Sequence, residues 1–149
     1  MNTWQLLTGN RILMSAIAGW AVAQFLKALI HALLTRKFDP ERLVGSGGMP
    51  SSHASTVCAM TTMTGITYGV GSFEFAVTVI LAIVVMHDAM NVRLETGRQA
   101  KLLNEIIESF KSLDVTPLTE EKLKEFVGHT PLQVLVGALL GLLTGWLMA

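Results

Sequence analysis

Two histidines in this sequence stand at helix starts, where an imidazole can meet an anion. The first is His53, which closes GSGGMPSSH, residues 45–53. Glycines let backbone amides approach an anion closely, and successive N–H groups form a nest. The helix that follows presents free N–H groups and the positive end of its dipole. Ser51 or Ser52 can cap it. Gly48, Ser51 and Ser52 are therefore candidate phosphate contacts, and His53 in the first turn can face the phosphate. An ordinary glycine loop with a serine cap fits the same residues. The second histidine is His129, in GHTPLQVLVGALLG, residues 128–141. Thr130 suits an N-cap and Pro131 the first helical position. The nearby dipole favours a neutral imidazole, which is the form that attacks phosphorus. Gln133, four residues on, can bond the other ring nitrogen and fix the tautomer. The alternative is a surface histidine in a turn.

Cations that could hold the same anion lie in HDAMNVRLETGRQAK, residues 87–101. Arg93 and Arg98 are candidates, because a guanidinium binds phosphate through two nitrogens at once. A solvated helix with charges paired at i, i+4 is the alternative, and it covers Glu95 and Lys101. Asp88 abuts an apolar run, where a carboxylate is costly unless paired. Its candidate partners are Arg93, Arg98 and Lys27. Lys27 is either a phosphate ligand or a side chain snorkelling to an interface. Four histidines suggest metal, but no ligand spacing such as H-x-x-E-H occurs. Neither a metal nor a cofactor is expected. Cys58, the only cysteine, lies in an apolar stretch and reads as a small core residue; no internal disulfide can form.

The elements that must position these groups are apolar helices. Hydrophobic residues make up 51% of the 149 and mean hydropathy is +0.52. With the 13 glycines the apolar share is about 60%, against about 45–50% in soluble domains. Charged residues are only 15%. Formal net charge is zero, so no nucleic-acid footprint is present. Residues 12–34 form an apolar run long enough to cross about 30 Å of hydrocarbon. Gln24, Lys27 and His31 fall on one face of it. It does not resemble a secretory signal, and it is expected to remain in the mature protein. Residues 51–70 are rich in small and hydroxyl residues that suit close helix packing. After a turn at Gly71 and Ser72, an apolar run from Phe73 to Met86 continues without Pro or Gly into a polar helix. Residues 114–127 read as a polar connection with a short amphipathic helix, capped at Thr119. Residues 131–148 are the last span, with Gly137, Gly141 and Gly145 four apart. The expected fold is all-α: one integral-membrane helical domain over 1–149, with about four spanning helices. A buried soluble bundle is the alternative.

Four spans put both termini on one side and the loops after the first and third spans on the other. The loop side collects Arg36, Lys37, Arg42, Arg93, Arg98, Lys101, Lys111, Lys122 and Lys124, and the opposite side only Arg11. The positive-inside rule makes the loop side cytoplasmic. His53, Asp88, Arg93 and His129 gather on that same face.

The motifs GGMPSSHAS (47–55), DAMNVRLETGRQAKLLN (88–104) and GHTPLQVLVGALLG (128–141) resemble the divergent branch of the type-2 phosphatidic acid phosphatase superfamily. Its members are membrane proteins related to acid phosphatases and vanadium-dependent haloperoxidases. The resemblance implies a phosphatidic-acid-phosphatase-like helical core. It implies Lys27 as the phosphate-binding lysine of the first motif, whose arginine seven residues on has no counterpart; Arg36 follows at nine. The second motif, P-S-G-H, is matched by Pro50, Ser51, Ser52 and His53, with serine replacing the glycine, which implies His53 as general acid. The third implies His129 as the nucleophile that forms a phosphohistidine. Two departures stand out: Gln133 occupies the place of the motif's aspartate, and Leu123 that of its arginine. Arg93 and Arg98 are the candidate replacements.

The resulting expectation is a phosphatase of the cell membrane acting on a lipid phosphate or pyrophosphate. The alternative is a weak or inactive relative that binds a phosphorylated lipid headgroup, or serves as a transporter or partner subunit.

Overall fold

Asn2, Asn10, Ser51, Ser72 and Thr130 each precede a helix, and each caps it by accepting a backbone N–H three residues on. Such caps satisfy donors that the first helical turn leaves open. The computed structural model describes residues 2–36, 48–112, 123 and 128–149, and every element among them is a helix. In chain order these are α1 (Thr3–Thr8), α2 (Arg11–Thr35), α3 (Ser52–Tyr68), α4 (Phe73–Met90), α5 (Val92–Ser112) and α6 (Pro131–Leu147). The amphipathic helix expected within 114–127 lies outside the described residues, except for Leu123.

α3 is the centre of the bundle, with α2, α4 and α6 packed around it. Ser55 donates its hydroxyl to the Gly19 carbonyl of α2 at 2.8 Å, and Ser15 of α2 donates to the Ala59 carbonyl at 3.0 Å. These pairs run in opposite senses along the two chains, so α2 is antiparallel to α3. Thr61 and the Thr78 carbonyl, joined at 3.1 Å, and Ala54 packed with Ala89 make α4 antiparallel to α3 as well. α6 is parallel to α3. A Cβ on Gly137, Gly141 or Gly145 would stand 2.3, 2.3 or 2.7 Å from the carbonyl oxygens of Ser51, Ser55 and Ala59 respectively. Every fourth residue of one helix therefore meets every fourth residue of the other, backbone to backbone. Arg11, at the start of α2, donates to the Met148 and Ala149 carbonyls. The first and last described segments thus meet at the end of the bundle opposite Gly48, Ser51 and Ala89.

The distribution of side chains is the reverse of a soluble core. Ser15, Gly19, Ser51, Ser55, Ala59, Thr64 and Thr144 are inside, whereas Ile80 and Val84 of α4 are 60% and 58% exposed. Contiguous apolar surface on this scale calls for an apolar surrounding. Arg11–Thr35 and the run Phe73–Phe110 are long and apolar enough to cross a membrane. α6, at 17 residues, is apolar but shorter, and α3, also 17 residues, carries the hydroxyls.

The unbroken third helix expected from sequence is interrupted at Asn91, whose φ and ψ are −108° and −73°. The cause is tertiary. His129 donates its N–H to the Ala89 carbonyl at 3.0 Å, which in an unbroken helix serves residue 93. Gly128 presses on the same bend: a Cβ there would stand 2.4 Å from the Leu94 nitrogen, and its φ of +95° is itself a glycine conformation. The break is therefore the place where the His129 segment docks.

The glycine seam gives a test. Gly137→Ala and Gly141→Ala are each expected to cost about 1–3 kcal/mol through overpacking, read as a lowered thermal midpoint in detergent. Gly71→Ala, where a Cβ would meet nothing within 4 Å, is expected to leave the midpoint unchanged.

Candidate functional site

His129 is held by three bonds before any side-chain chemistry is considered. Its N–H is tied to Ala89, Thr130 caps α6, and Ser51 donates its N–H to the Gln133 carbonyl at 3.0 Å. The last bond sets the first turns of α3 and α6 level. The His53 and His129 rings consequently meet edge to face, with centroids 5.6 Å apart.

Gln133 Oε1 decides the tautomer. It accepts the Thr130 N–H at 3.1 Å, closing a capping box. A backbone N–H only donates, so the amide atom facing it must be the oxygen. That same oxygen lies 3.3 Å from His129 Nδ1, so Nδ1 carries the proton. Nε2 is left with its lone pair; it is buried and has no hydrogen-bond partner among the described residues, and His53 Nδ1 is in the same state. Burial pushes the His129 imidazole down to about 4, helped by His53 and Lys27 and opposed by the Gln133 bond and the Gly48 backbone. The ring is therefore neutral at physiological pH, with a free nitrogen in a buried space.

Lys27 is 3% exposed, so it is drawn into the bundle and does not snorkel. Its ammonium donates to Gln24 Oε1 at 2.7 Å, and its stem lies against Gly48, where a Cβ would stand 3.5 Å from Cγ. Gly48 has a φ of +85°, a turn that glycine adopts without strain. Ser51 and Ser52 are buried at the start of α3, Ser51 as its cap. Of the three partners considered for Asp88, Arg93 holds it, Nε to Oδ2 at 2.8 Å. That bond uses Nε, so the two terminal nitrogens of Arg93 lie outside it. Lys27, Arg93 and Asp88 are the charges that act on His53.

The structure thus brings together Lys27, Gly48, Ser51, Ser52, His53, Asp88, Arg93, His129 and Gln133. It does not bring Arg98 to them: Arg98 is exposed on α5 and paired with Glu95. Arg36 ends α2 in a left-handed conformation, exposed, about 13 Å beyond Lys27 by helical rise. Residues 45–47 of the glycine loop lie outside the described residues. Two contributors lie within the 88–104 motif but carry no side-chain signal of a site role. Ala89 acts through its carbonyl alone. Asn104 bonds both backbone groups of Leu123, at 2.9 and 3.0 Å, and so anchors the chain that leads back to His129.

The bundle has an apolar exterior and carries, at one end, paired imidazoles, the buried Lys27 ammonium and the exposed Arg93 guanidinium. The chain belongs to the Divergent PAP2 family, whose profile matches residues 8–144; this is the branch its three motifs resemble. It is similar, at 36% identity over 154 residues and 97% of each chain, to a protein of Bacillus subtilis (strain 168) described as "Uncharacterized membrane protein YuiD". No solved structure matches the chain significantly.

The protonation state is open to measurement. The unfolded imidazole, near 6.5, binds its proton before the folded one at about 4 does. Stability from neutral His129 is therefore complete above about pH 6.5 and is lost as pH falls toward 4. Gln133→Glu keeps the capping box and adds a negative charge at Nδ1. It is expected to raise the His129 midpoint in an NMR titration by about 1–3 units; an unmoved midpoint would contradict the Nδ1–Gln133 contact.

Proposed function

We propose that the chain is a multi-pass integral-membrane phosphatase, one helical domain over 1–149, hydrolysing a lipid phosphate or pyrophosphate through a phosphohistidine on His129. One observation carries this reading: Nδ1 of His129 is tied to Gln133, so the buried Nε2, without a hydrogen-bond partner among the described residues, keeps its lone pair on a ring that meets His53 edge to face. A neutral imidazole held this way is a nucleophile.

The phosphate would lie among Lys27, the Gly48–Ser52 backbone and the terminal nitrogens of Arg93. These cations neutralise the equatorial oxygens while His129 Nε2 attacks in line. His53 protonates the departing oxygen, and water then releases orthophosphate from the phosphohistidine. Asp88 holds Arg93 in position. α2, α3, α4 and α6 would cross the bilayer, with the bundle's apolar exterior facing lipid and the phosphate arriving at its polar end. A second reading, a weak or inactive relative that binds a phosphorylated headgroup, is favoured by the neutral Gln133 where the resemblance places a carboxylate.

Purified, detergent-solubilised protein given a panel of lipid phosphates is expected to release phosphate, and His129→Ala to abolish the release. His53→Gln is expected to slow release from a lipid phosphomonoester about 10²–10⁴-fold, the usual contribution of a general acid to a poor leaving group. Headgroup binding without release above the His129→Ala control would favour the second reading.

The excess of Arg and Lys at the site end supports a cytoplasmic site, with both termini on the opposite side. Thr96→Cys, at an exposed position of α5, should react with an impermeant maleimide only after cells are permeabilised. Labelling of intact cells would reverse the orientation.

A further inference from the structure

We propose that the bond broken at this site is a phosphoanhydride, the terminal phosphate of a diphosphate headgroup, rather than a phosphomonoester. The inference rests on the phosphatase reading above and starts from the neutrality of Gln133. When Nε2 bonds to phosphorus, an imidazole that keeps its Nδ1 proton becomes a cation. Whatever faces Nδ1 must stabilise that charge. Here it is one amide oxygen, which already accepts the Thr130 N–H at 3.1 Å. A carboxylate would supply a full negative charge; an amide supplies a shared dipole. The carboxylate of the cluster, Asp88, is bound to Arg93 at 2.8 Å. The side chains that disfavour charge on His129 are Lys27 and His53, opposed besides Gln133 only by the Gly48 backbone, and the positive end of the α6 dipole adds to them.

A phosphohistidine formed in such surroundings lies high in energy. It forms at a useful rate only when the group displaced is itself stable. The alkoxide of a monoester is strongly basic and must be fully protonated as it leaves. The phosphate displaced from an anhydride has its second pKa near about 6 and leaves as a stable anion with little help. Lys27 and Arg93 suit the same outcome, since two separate cations can divide the charge of adjoining phosphates.

The step balances without any further reactant. The Nε2 lone pair forms a bond to the terminal phosphorus. The bond from that phosphorus to the bridging oxygen breaks, and its electron pair stays with the departing monophosphate. Water then attacks the phosphohistidine, its proton passing to His53. The N–P bond breaks to restore neutral imidazole, and the products are orthophosphate and the monophosphate.

The test compares kcat/KM for farnesyl diphosphate, farnesyl phosphate and inorganic pyrophosphate on the purified protein, beside a His129→Ala control. Farnesyl diphosphate is expected to exceed farnesyl phosphate by about 100-fold or more, the lower range of what a general acid supplies to a poor leaving group. Gln133→Glu, which keeps the capping box, is expected to narrow that ratio by speeding the monoester. Cleavage of inorganic pyrophosphate at a similar rate would support the anhydride and place its source in solution; cleavage of the farnesyl compound alone would support it and place its source in the bilayer. Equal or faster cleavage of farnesyl phosphate overturns the inference and leaves the phosphatase reading standing. No His129-dependent release from any of the three overturns both.

Discussion

The absence of side chains along one face of α6 governs the rest of the architecture. Gly137, Gly141 and Gly145 let its backbone lie against Ser51, Ser55 and Ala59 of α3 with no room for a methyl group between them. Because both rows advance by four residues, the helices lock in one axial register. Ser51 then reaches the Gln133 carbonyl, and the two histidines come level. A slip of one helical turn would displace α6 by about 5.4 Å, as far as the 5.6 Å between the imidazole centroids. The pairing of His53 with His129 is thus a product of the glycine seam as much as of the histidines themselves.

The same seam explains why the interior is built of small and hydroxylated residues. In lipid, apolar side chains gain nothing by leaving their surroundings for a protein interior, so helices associate through close packing and hydrogen bonds. Ser15 and Ser55 bond carbonyls of the facing helix, while Trp20, Phe25 and Leu139 remain on the outside. Lys27 extends the buried stripe of α2 that begins Ser15, Gly19, Ala23. Its ammonium is received inside by Gln24 Oε1, while its stem lies against Gly48.

Features that depend on local rules were legible in the sequence. The caps at Ser51 and Thr130, Pro131 at the first helical position, the four-residue glycine spacing and the gathering of His53, Asp88, Arg93 and His129 at one end all follow from short-range chemistry and chain direction. Others required the third dimension. The bend at Asn91 comes from a backbone bond to a residue about forty positions away, which no propensity at residues 88–94 encodes. Asp88 had three candidate partners by charge, and only the bend brings Arg93 to it. Arg98 sits five residues further along α5, which carries it to the solvent side with Glu95. Asn104 reads as one polar residue in a charged helix until Leu123 is placed beside it. The short α1 carried its own signal, Asn2 and Gln5 three apart as a capping box, masked by the polar look of the opening residues.

The central place of α3 has a consequence for biogenesis. Its serines and threonines leave it the least oily of the four long bundle helices, so on its own it would partition into a bilayer weakly. Its neighbours supply the groups that it packs against: the Gly19 face of α2 and the glycine row of α6. α2 precedes it from the ribosome, but α6 is made last of the four. Until then α3 has one bare flank, and a nascent chain lacking residues 131–147 would hold a half-wrapped hydroxyl helix.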